Sequence, residues 1–306
     1  MEGAAELAIS LRGVTKRFGA ITAVDGLDLD VPAGICMGLL GPNGAGKSTT
    51  MRLLTAQAIA DAGEITVLGC PIPTHSKLAR AQMGVVPQQD NLDAELTVRA
   101  NLEVFARLYR VPRREREAVV ERALRAAQLA GRADTQVDKL SGGMRRRLLI
   151  GRGLVHQPRL VLLDEPTVGL DPQVRQELWS LIDALRARGV TVLMSTHYIE
   201  EAERLADDVA MMSHGSVVAR DAPGKLISEH AGETVMEYFG PPDRLAEVER
   251  LARQAGMATR RAGPSVSVLR AEQMPPSLLE RLQDSAARRP ANLEDVFVTL
   301  TGESVE

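Results

Sequence analysis

Apolar and polar positions alternate with a period of two from Leu7 to Val14, where Leu7, Ile9 and Leu11 are separated by Ala8, Ser10 and Arg12, and again at Leu27, Leu29 and Val31. Such spacing puts alternate side chains on one face, so both stretches predict half-buried, antiparallel strands. Ile35 to Leu40, Leu160 to Leu163 and Val190 to Met194 are instead unbroken apolar runs, as expected for strands covered on both faces. Shorter strands are predicted at Glu64 to Leu68, after a break at Asp61-Ala62-Gly63, and at Gly84 to Val86. A hairpin is predicted from Val209 to Met212 and Val217 to Ala219 around His214-Gly215.

Helical spacing fills the intervals. Thr50 to Gln57 is one such segment, and Thr97 to about Arg132 is another, with Leu102, Phe105 and Leu108 on one face and Val119, Val120 and Leu124 after a turn at Val111-Pro112. Arg113 to Glu117, basic and acidic by turns, reads as a solvated face. Ser141 is placed to cap a helix reaching roughly to Leu154. Pro172 opens one that runs to about Arg188, with Trp179 and Leu181 to Leu185 toward the core, and Ile199 to Leu205 forms another. Strands alternating with helices predict an α/β core carrying an inserted helical subdomain. Pro223-Gly224 starts a further helix. Beyond about Glu233 the pattern changes to a strand at Thr234 to Phe239, a helix near Leu245 to Gln254, alternating Val266 and Val268, and a helix from Leu278 to Gln283. These predict a small α+β appendage with no motif that carries chemistry.

Composition narrows the partners. In 306 residues the net charge is −3, which provides no overall basic field for nucleic acid or an anionic membrane. Cys36 and Cys70 have no metal-ligand or redox spacing and read as buried, inert thiols of a reducing cytoplasm. Met1 to Glu6 is acidic where a secretory signal would be basic, and no apolar run approaches the roughly 18 residues of a spanning helix.

Chemistry enters at Gly41-Pro42-Asn43-Gly44-Ala45-Gly46-Lys47-Ser48-Thr49, which follows the apolar run ending at Leu40 and leads into a helix. The form G-x-x-x-x-G-K-S aims backbone N–H groups and a helix N-terminus at a nucleotide's phosphates; Lys47 would reach the β- and γ-phosphates and Ser48 would hold Mg²⁺. Leu140-Ser141-Gly142-Gly143-Met144 is a second exposed helix start, suited to an anion, although these five residues alone read more simply as an ordinary capped helix. Arg145, Arg146 and Arg147 follow it, at least one of them toward solvent, and a structural role accounts for them as well as any other. Asp164-Glu165 end an apolar strand, where ligands bind in α/β sheets; Asp164 is placed for Mg²⁺ and Glu165 to orient or deprotonate water. Gln88 and His197 stand at two further strand exits. Phe18, in a loop, serves equally as core or as a stacking platform for a base.

The phosphate loop, Gln88, Leu140 to Met144, Leu163-Asp164-Glu165-Pro166, Gly169-Leu170-Asp171-Pro172 and His197 occur in the order and spacing of the ATP-binding cassette family. Residues 7 to about 222 resemble one cassette. The resemblance implies a P-loop NTPase fold with a RecA-like core, an antiparallel β subdomain and a helical subdomain at about 90–155, residues 1–222 being the nucleotide-binding domain and 223–306 a C-terminal accessory region. It implies ATP and Mg²⁺ as cofactors, with Phe18 stacking the adenine and Gly41 to Thr49 on the phosphates. Ser48, Gln88 and Asp164 would serve the metal, Glu165 would be the general base, His197 the switch near the γ-phosphate, and Asp171 part of an interface loop. Ser141, Gly142 and Gly143 would close on ATP held by a second copy. Two departures are visible: Phe18 stands where tyrosine is commoner, and Met144 where glutamine is usual.

A narrower resemblance is to ATP-binding subunits of nodulation-factor exporters, which move lipo-chitooligosaccharides. It rests on Gly84 to Gln88 with Asp90-Asn91-Leu92-Asp93, on Thr196-His197 with Glu200 to Leu205, and on the tail segments Val235-Met236-Glu237-Tyr238 and Arg289 to Phe297. It implies an exporter ATPase, of the lipo-oligosaccharide or drug-export kind, that works beneath a separate integral-membrane permease on the cytoplasmic side of the inner membrane. Two alternatives are a cassette acting on ribosome or DNA, disfavoured by the single cassette, the lack of sustained heptads and the charge, and an importer or lipid-handling cassette.

Overall fold

The computed structural model describes residues 6–282 and 286–305. Met1 to Ala5, part of the acidic N-terminal reading, and Gln283, the expected end of a helix, lie outside the described residues.

Strands β1 (Leu7–Phe18) and β2 (Ile21–Pro32) are antiparallel, and their period of two buries Ile9, Leu11 and Val14 against Val24, Leu27, Leu29 and Val31. Both are longer than the apolar alternation suggests, so Phe18 ends a strand opposite Ile21 across a two-residue turn and does not lie in a loop. The next strand, β3 (Cys36–Leu40), is buried along its whole length. Helix α1 (Lys47–Leu54) starts three residues earlier than its spacing predicts and stops short of Gln57, because Ala56 turns left-handed at φ 56°. After it come β4 (Ala62–Val67), β5 (Cys70–Ile72), α2 (Ser76–Arg80) and β6 (Met83–Val86). Strands in the order β2-β1-β4-β5 form one antiparallel sheet.

The helical insertion comprises α3 (Val98–Leu108), α4 (Arg116–Ala126) and α5 (Gly142–Leu154). Leu102, Val119, Val120 and Leu124 are buried together, as their spacing requires. Leu108 is not. Six residues beyond Leu102, it is rotated about 120° off that face, and it is 66% exposed while Ala106 occupies the buried position.

The core continues with β7 (Leu160–Asp164), α6 (Pro172–Arg186), β8 (Thr191–Thr196), α7 (Ile199–Leu205), β9 (Asp208–Ser213) and β10 (Ser216–Asp221). The central sheet runs β10-β9-β3-β8-β7-β6, parallel except for the β9-β10 hairpin at its edge. The exits of β3, β6, β7 and β8 therefore open on one edge, where open α/β sheets bind ligands. Cys36 lies in the buried sheet, and burial pushes its thiol up to about 12. Cys70, at the edge strand β5, is only partly buried, contrary to expectation, because β5 has a single neighbour.

Beyond β10, α8 (Pro223–His230), β11 (Thr234–Phe239), α9 (Pro242–Gln254), β12 (Thr259–Ala262), β13 (Ser265–Val268), α10 (Pro276–Leu282), β14 (Ala286–Pro290) and α11 (Leu293–Thr301) build an α+β unit on an antiparallel sheet ordered β12-β13-β11-β14. Tyr238, Leu245, Val248, Val266, Val268 and Leu278 form a cluster of its own. A second cluster crosses into the sheet: Leu226, Leu293, Val296, Phe297 and Val305 are buried with Leu40, Ala202, Val209 and Met211. Helix α11 is fixed by an Asn292/Asp295 capping box, and buried Asp295 also accepts from Arg260 and Arg289.

Candidate active site

Glycine is required at two points of the phosphate loop. A Cβ at Gly41 would lie 2.2 Å from the Met212 carbonyl oxygen, and one at Gly46, where φ is +101°, would lie 2.5 Å from that of Ala23. Packed so tightly, the loop turns directly into α1. Among the described residues the N–H groups of Gly44, Gly46, Lys47, Ser48 and Thr49 find no acceptor. Five converging donors at a helix start, with no acidic residue in the first turn, suit a polyphosphate.

Lys47 is 4% exposed. Its Nζ donates to the carbonyls of Gly41 (2.5 Å) and Pro42 (3.0 Å) and stands 3.9 Å from Glu165 Oε1. Burial pulls the ammonium below the usual lysine range, and Glu165 and Asp164 push it part of the way back.

At the exits of β7 and β8 the carboxylates are held by neighbours. Asp164 Oδ1 accepts from Ser48 Oγ at 3.1 Å and from Ser195 Oγ at 2.5 Å. Ser195 Oγ in turn accepts the Glu165 N–H at 3.0 Å. Glu165 is 7% exposed and adopts φ +44°, a left-handed conformation that a non-glycine residue keeps only when its surroundings enforce it. Gln88 Nε2 donates to its Oε2 at 2.8 Å, and His197 Nδ1 lies 3.4 Å from its Oε1. Ser48, Asp164 and Gln88 together offer the hard oxygen atoms that Mg²⁺ prefers, with room for phosphate oxygens beside them.

The expected residues divide into two groups. Lys47, Ser48, Gln88, Asp164, Glu165 and His197 are joined by these contacts into one cluster. Ser141, Gly142, Gly143, Asp171 and Phe18 have no hydrogen bond or ion pair to that cluster among the described residues. Ser141 caps α5 by accepting from Met144 N; Gly142 and its neighbourhood are open, whereas a Cβ at Gly143 would lie 2.7 Å from Val174 of α6. Gly143 is thus needed for packing within the chain. Asp171 precedes α6 without capping it by its side chain, and Phe18 is 48% exposed under the Lys16 ammonium.

Three supporting groups escape the sequence reading. Ser195 is fully buried. Glu201, 1% exposed, accepts from Thr167 Oγ1, from Trp179 Nε1 (3.3 Å) and from Thr196 Oγ1 (2.6 Å), so it ties the segment after Glu165 to the residue before His197. Arg146 spreads its guanidinium over main-chain carbonyls at the exits of β6 and β7. The only hint in the sequence is a polar or charged residue where helix or strand periodicity demands burial. A cavity of about 460 Å³ between α4 and α6, lined by Val119, Leu154, Leu181 and Leu185, contains none of the strand-exit residues, so chemistry and not volume locates the site.

Comparison with known proteins agrees with this geometry. A family model described as ABC transporter matches residues 24–168. The chain is 44% identical, over all of its length and 90% of the relative's, to the Nod factor export ATP-binding protein I of Mesorhizobium japonicum. It is 45% identical to the protein of the same name from Rhizobium sp. strain N33, over 98% of this chain and 99% of the other. Among solved structures, an ATP-binding cassette captured as a dimer after hydrolysis, with ADP and phosphate, superposes with a TM-score of 0.63 at 28% identity, covering 70% of this chain and 98% of that one.

Proposed function

Because this chain belongs to the ABC transporter family and is an ATP-hydrolysing cassette of it, we propose that it powers a bacterial exporter as a pair of identical copies beneath a separately encoded membrane permease. The observation that carries this reading is the division of the site: a complete hydrolytic cluster from Lys47 to His197, and a second open helix start, Ser141-Gly142, that touches none of it. A second copy, facing the first, supplies that helix start to the phosphates held on Gly41 to Thr49, and Asp171 lies in the contact between copies. The dimeric cassette bound to ADP and phosphate supports the arrangement.

ATP is the substrate, its adenine resting on Phe18. Mg²⁺, held by Ser48, Asp164 and Gln88, would neutralise charge on the phosphates. Glu165 accepts the proton of the attacking water at Oε1, while Gln88 fixes Oε2 and His197 holds the side chain toward the γ-phosphate. Lys47 changes partners from loop carbonyls to phosphate oxygens. Closure of the pair derives its free energy from contacts made only in the closed state, and product release reopens it.

The full-length relatedness, C-terminal region included, to proteins named for Nod factor export supports an amphipathic, lipid-linked saccharide as cargo. Among the described residues no helix is long and apolar enough to cross a membrane; in this reading the chain attaches through the permease, on the cytoplasmic face. Glu165→Gln is the deciding variant: ATP binding persists, turnover falls at least about a hundredfold, and light scattering detects an ATP-dependent dimer. A variant that stays single with ATP overturns the two-copy site. Stimulation of the permease complex's ATPase by lipid-linked oligosaccharides, against simple drugs and free sugars, tests the cargo.

A further inference from the structure

A guanidinium presents five N–H donors in one plane, so it can bridge two loops when their carbonyls face it. Arg146 does this. Its Nε donates to Pro166 O at 2.7 Å, Nη1 to Pro87 O at 2.7 Å and Gln88 O at 3.3 Å, and Nη2 to Asp164 O and Glu165 O, both at 3.0 Å. No carboxylate is within ion-pair distance among the described residues, and burial depresses the group's pKa. With no carboxylate in contact, its desolvation is offset by carbonyl dipoles and, at longer range, by Asp164 and Asp90, so what its hydrogen bonds contribute is geometry.

Those carbonyls belong to Gln88, Asp164 and Glu165, or to the residues beside them, and these three carry the metal and water chemistry proposed above. Glu165 is held in its left-handed conformation from two sides: Ser195 takes its N–H and Arg146 its C=O. Arg146 also sits on α5, five residues after Ser141 and three after Gly143, which is locked under Val174. A cavity of about 340 Å³ between α5 and the strand exits is lined by Gln88, Gly142, Arg146, Glu165 and Gly169, and while Leu149 and Ile150 pack α5 on β6 and β7 farther along, Arg146 is the α5 side chain that hydrogen-bonds the carbonyls at the exits.

We propose that Arg146 is a positioning residue that couples the chain's own Gln88 and Glu165 to the Ser141-Gly142 helix start it offers to the facing copy. A shift of the strand exits in one ATP site then moves the signature in the other. This rests on the two-copy reading, and the Glu165→Gln dimerisation assay, which leaves Arg146 intact, tests that reading separately.

The experiment measures steady-state ATPase and ATP affinity for the full chain carrying Arg146→Ala, Arg146→Lys, Ser141→Ala, and Ser141→Ala with Arg146→Ala, each normalised to folded fraction by circular dichroism. Arg146→Ala should lower kcat about tenfold to a hundredfold with KM within about threefold. Arg146→Lys, which concentrates three donors on one nitrogen, should recover part of the loss. In the double variant the losses should fail to multiply, falling short of the product of the singles by about fivefold or more. The proposal is overturned if Arg146→Lys and Arg146→Ala both keep kcat within about twofold, if activity falls only with folded fraction, or if the two losses multiply.

Discussion

Ser195 Oγ donates to Asp164 Oδ1 and accepts the backbone N–H of Glu165, so one buried hydroxyl on β8 fixes two successive residues of β7's exit. Adjacent carboxylates at the end of an apolar strand repel each other unless something separates their roles. Here the side chain of one and the peptide of the other are bound to the same atom.

Ser195→Ala removes the hydroxyl and leaves Glu165 N–H only the Ser195 carbonyl, at 3.1 Å. Stability should fall by about 1–2 kcal/mol in a urea melt. ATPase activity should fall about tenfold or more, with nucleotide affinity little altered, because Lys47 and the loop donors are untouched.

Glu201→Gln tests the link from α7 to the catalytic segment. The added amide NH₂ confronts donors from Thr167, Trp179 and Thr196, costing about 1–3 kcal/mol. Trp179 is the chain's single tryptophan, so its emission reports the site directly. The expected result is a shifted emission maximum together with a lower kcat; an unchanged spectrum with wild-type turnover would show that this contact matters little.

His156 predicts an acid-side loss of stability. Stacked on Tyr109 at 3.6 Å and donating only to the Met83 carbonyl, it is held down to about 4 by burial. The folded state therefore binds fewer protons than the unfolded state between that value and the ordinary histidine value of about 6.5. Stability is full above about 6.5 and declines as pH falls toward 4, by up to about 3 kcal/mol. His156→Gln should flatten thermal melts over that window; an equal slope in both proteins would refute the assignment.

Phe297→Ala opens a cavity behind the central sheet and should cost about 3–5 kcal/mol. Calorimetry should show the loss in the main unfolding transition, because Phe297 shares a cluster with Leu40 and Met211. A separate low-temperature transition confined to the C-terminal sheet would contradict that connection.

The sequence and the structure agree where a chemical task restricts residue types. Gly41, Gly46 and Lys47 are legible because phosphate binding restricts all three, and a Cβ at Gly41 or Gly46 would meet a carbonyl oxygen at 2.2 or 2.5 Å. Buried strands such as β3 are legible because nothing polar fits between two layers. Arg146, Ser195 and Glu201 were not, since each is recognised only by partners 18 or more positions away along most of its bonds, many of them main-chain atoms that leave no trace in a residue pattern. Strands β12 and β14 were missed because Arg260, Arg288 and Arg289 interrupt apolar alternation; Arg260 and Arg289 instead meet Asp295. Helix α11 was missed because the run Val296-Phe297-Val298 reads equally as a short strand, although Leu293, Val296 and Phe297 keep helical spacing and are buried against α8 and the sheet.

Leu40 is the last residue of β3, immediately before the phosphate loop, and it is buried with Leu293, Val296, Phe297 and Val305. The wall behind the nucleotide is thus completed by residues made some 250 positions later. During synthesis, the loop that defines the protein emerges early but lacks its backing until α11 has left the ribosome. The apolar face that Leu40, Val209 and Met211 present to α11 stays uncovered until that helix is made.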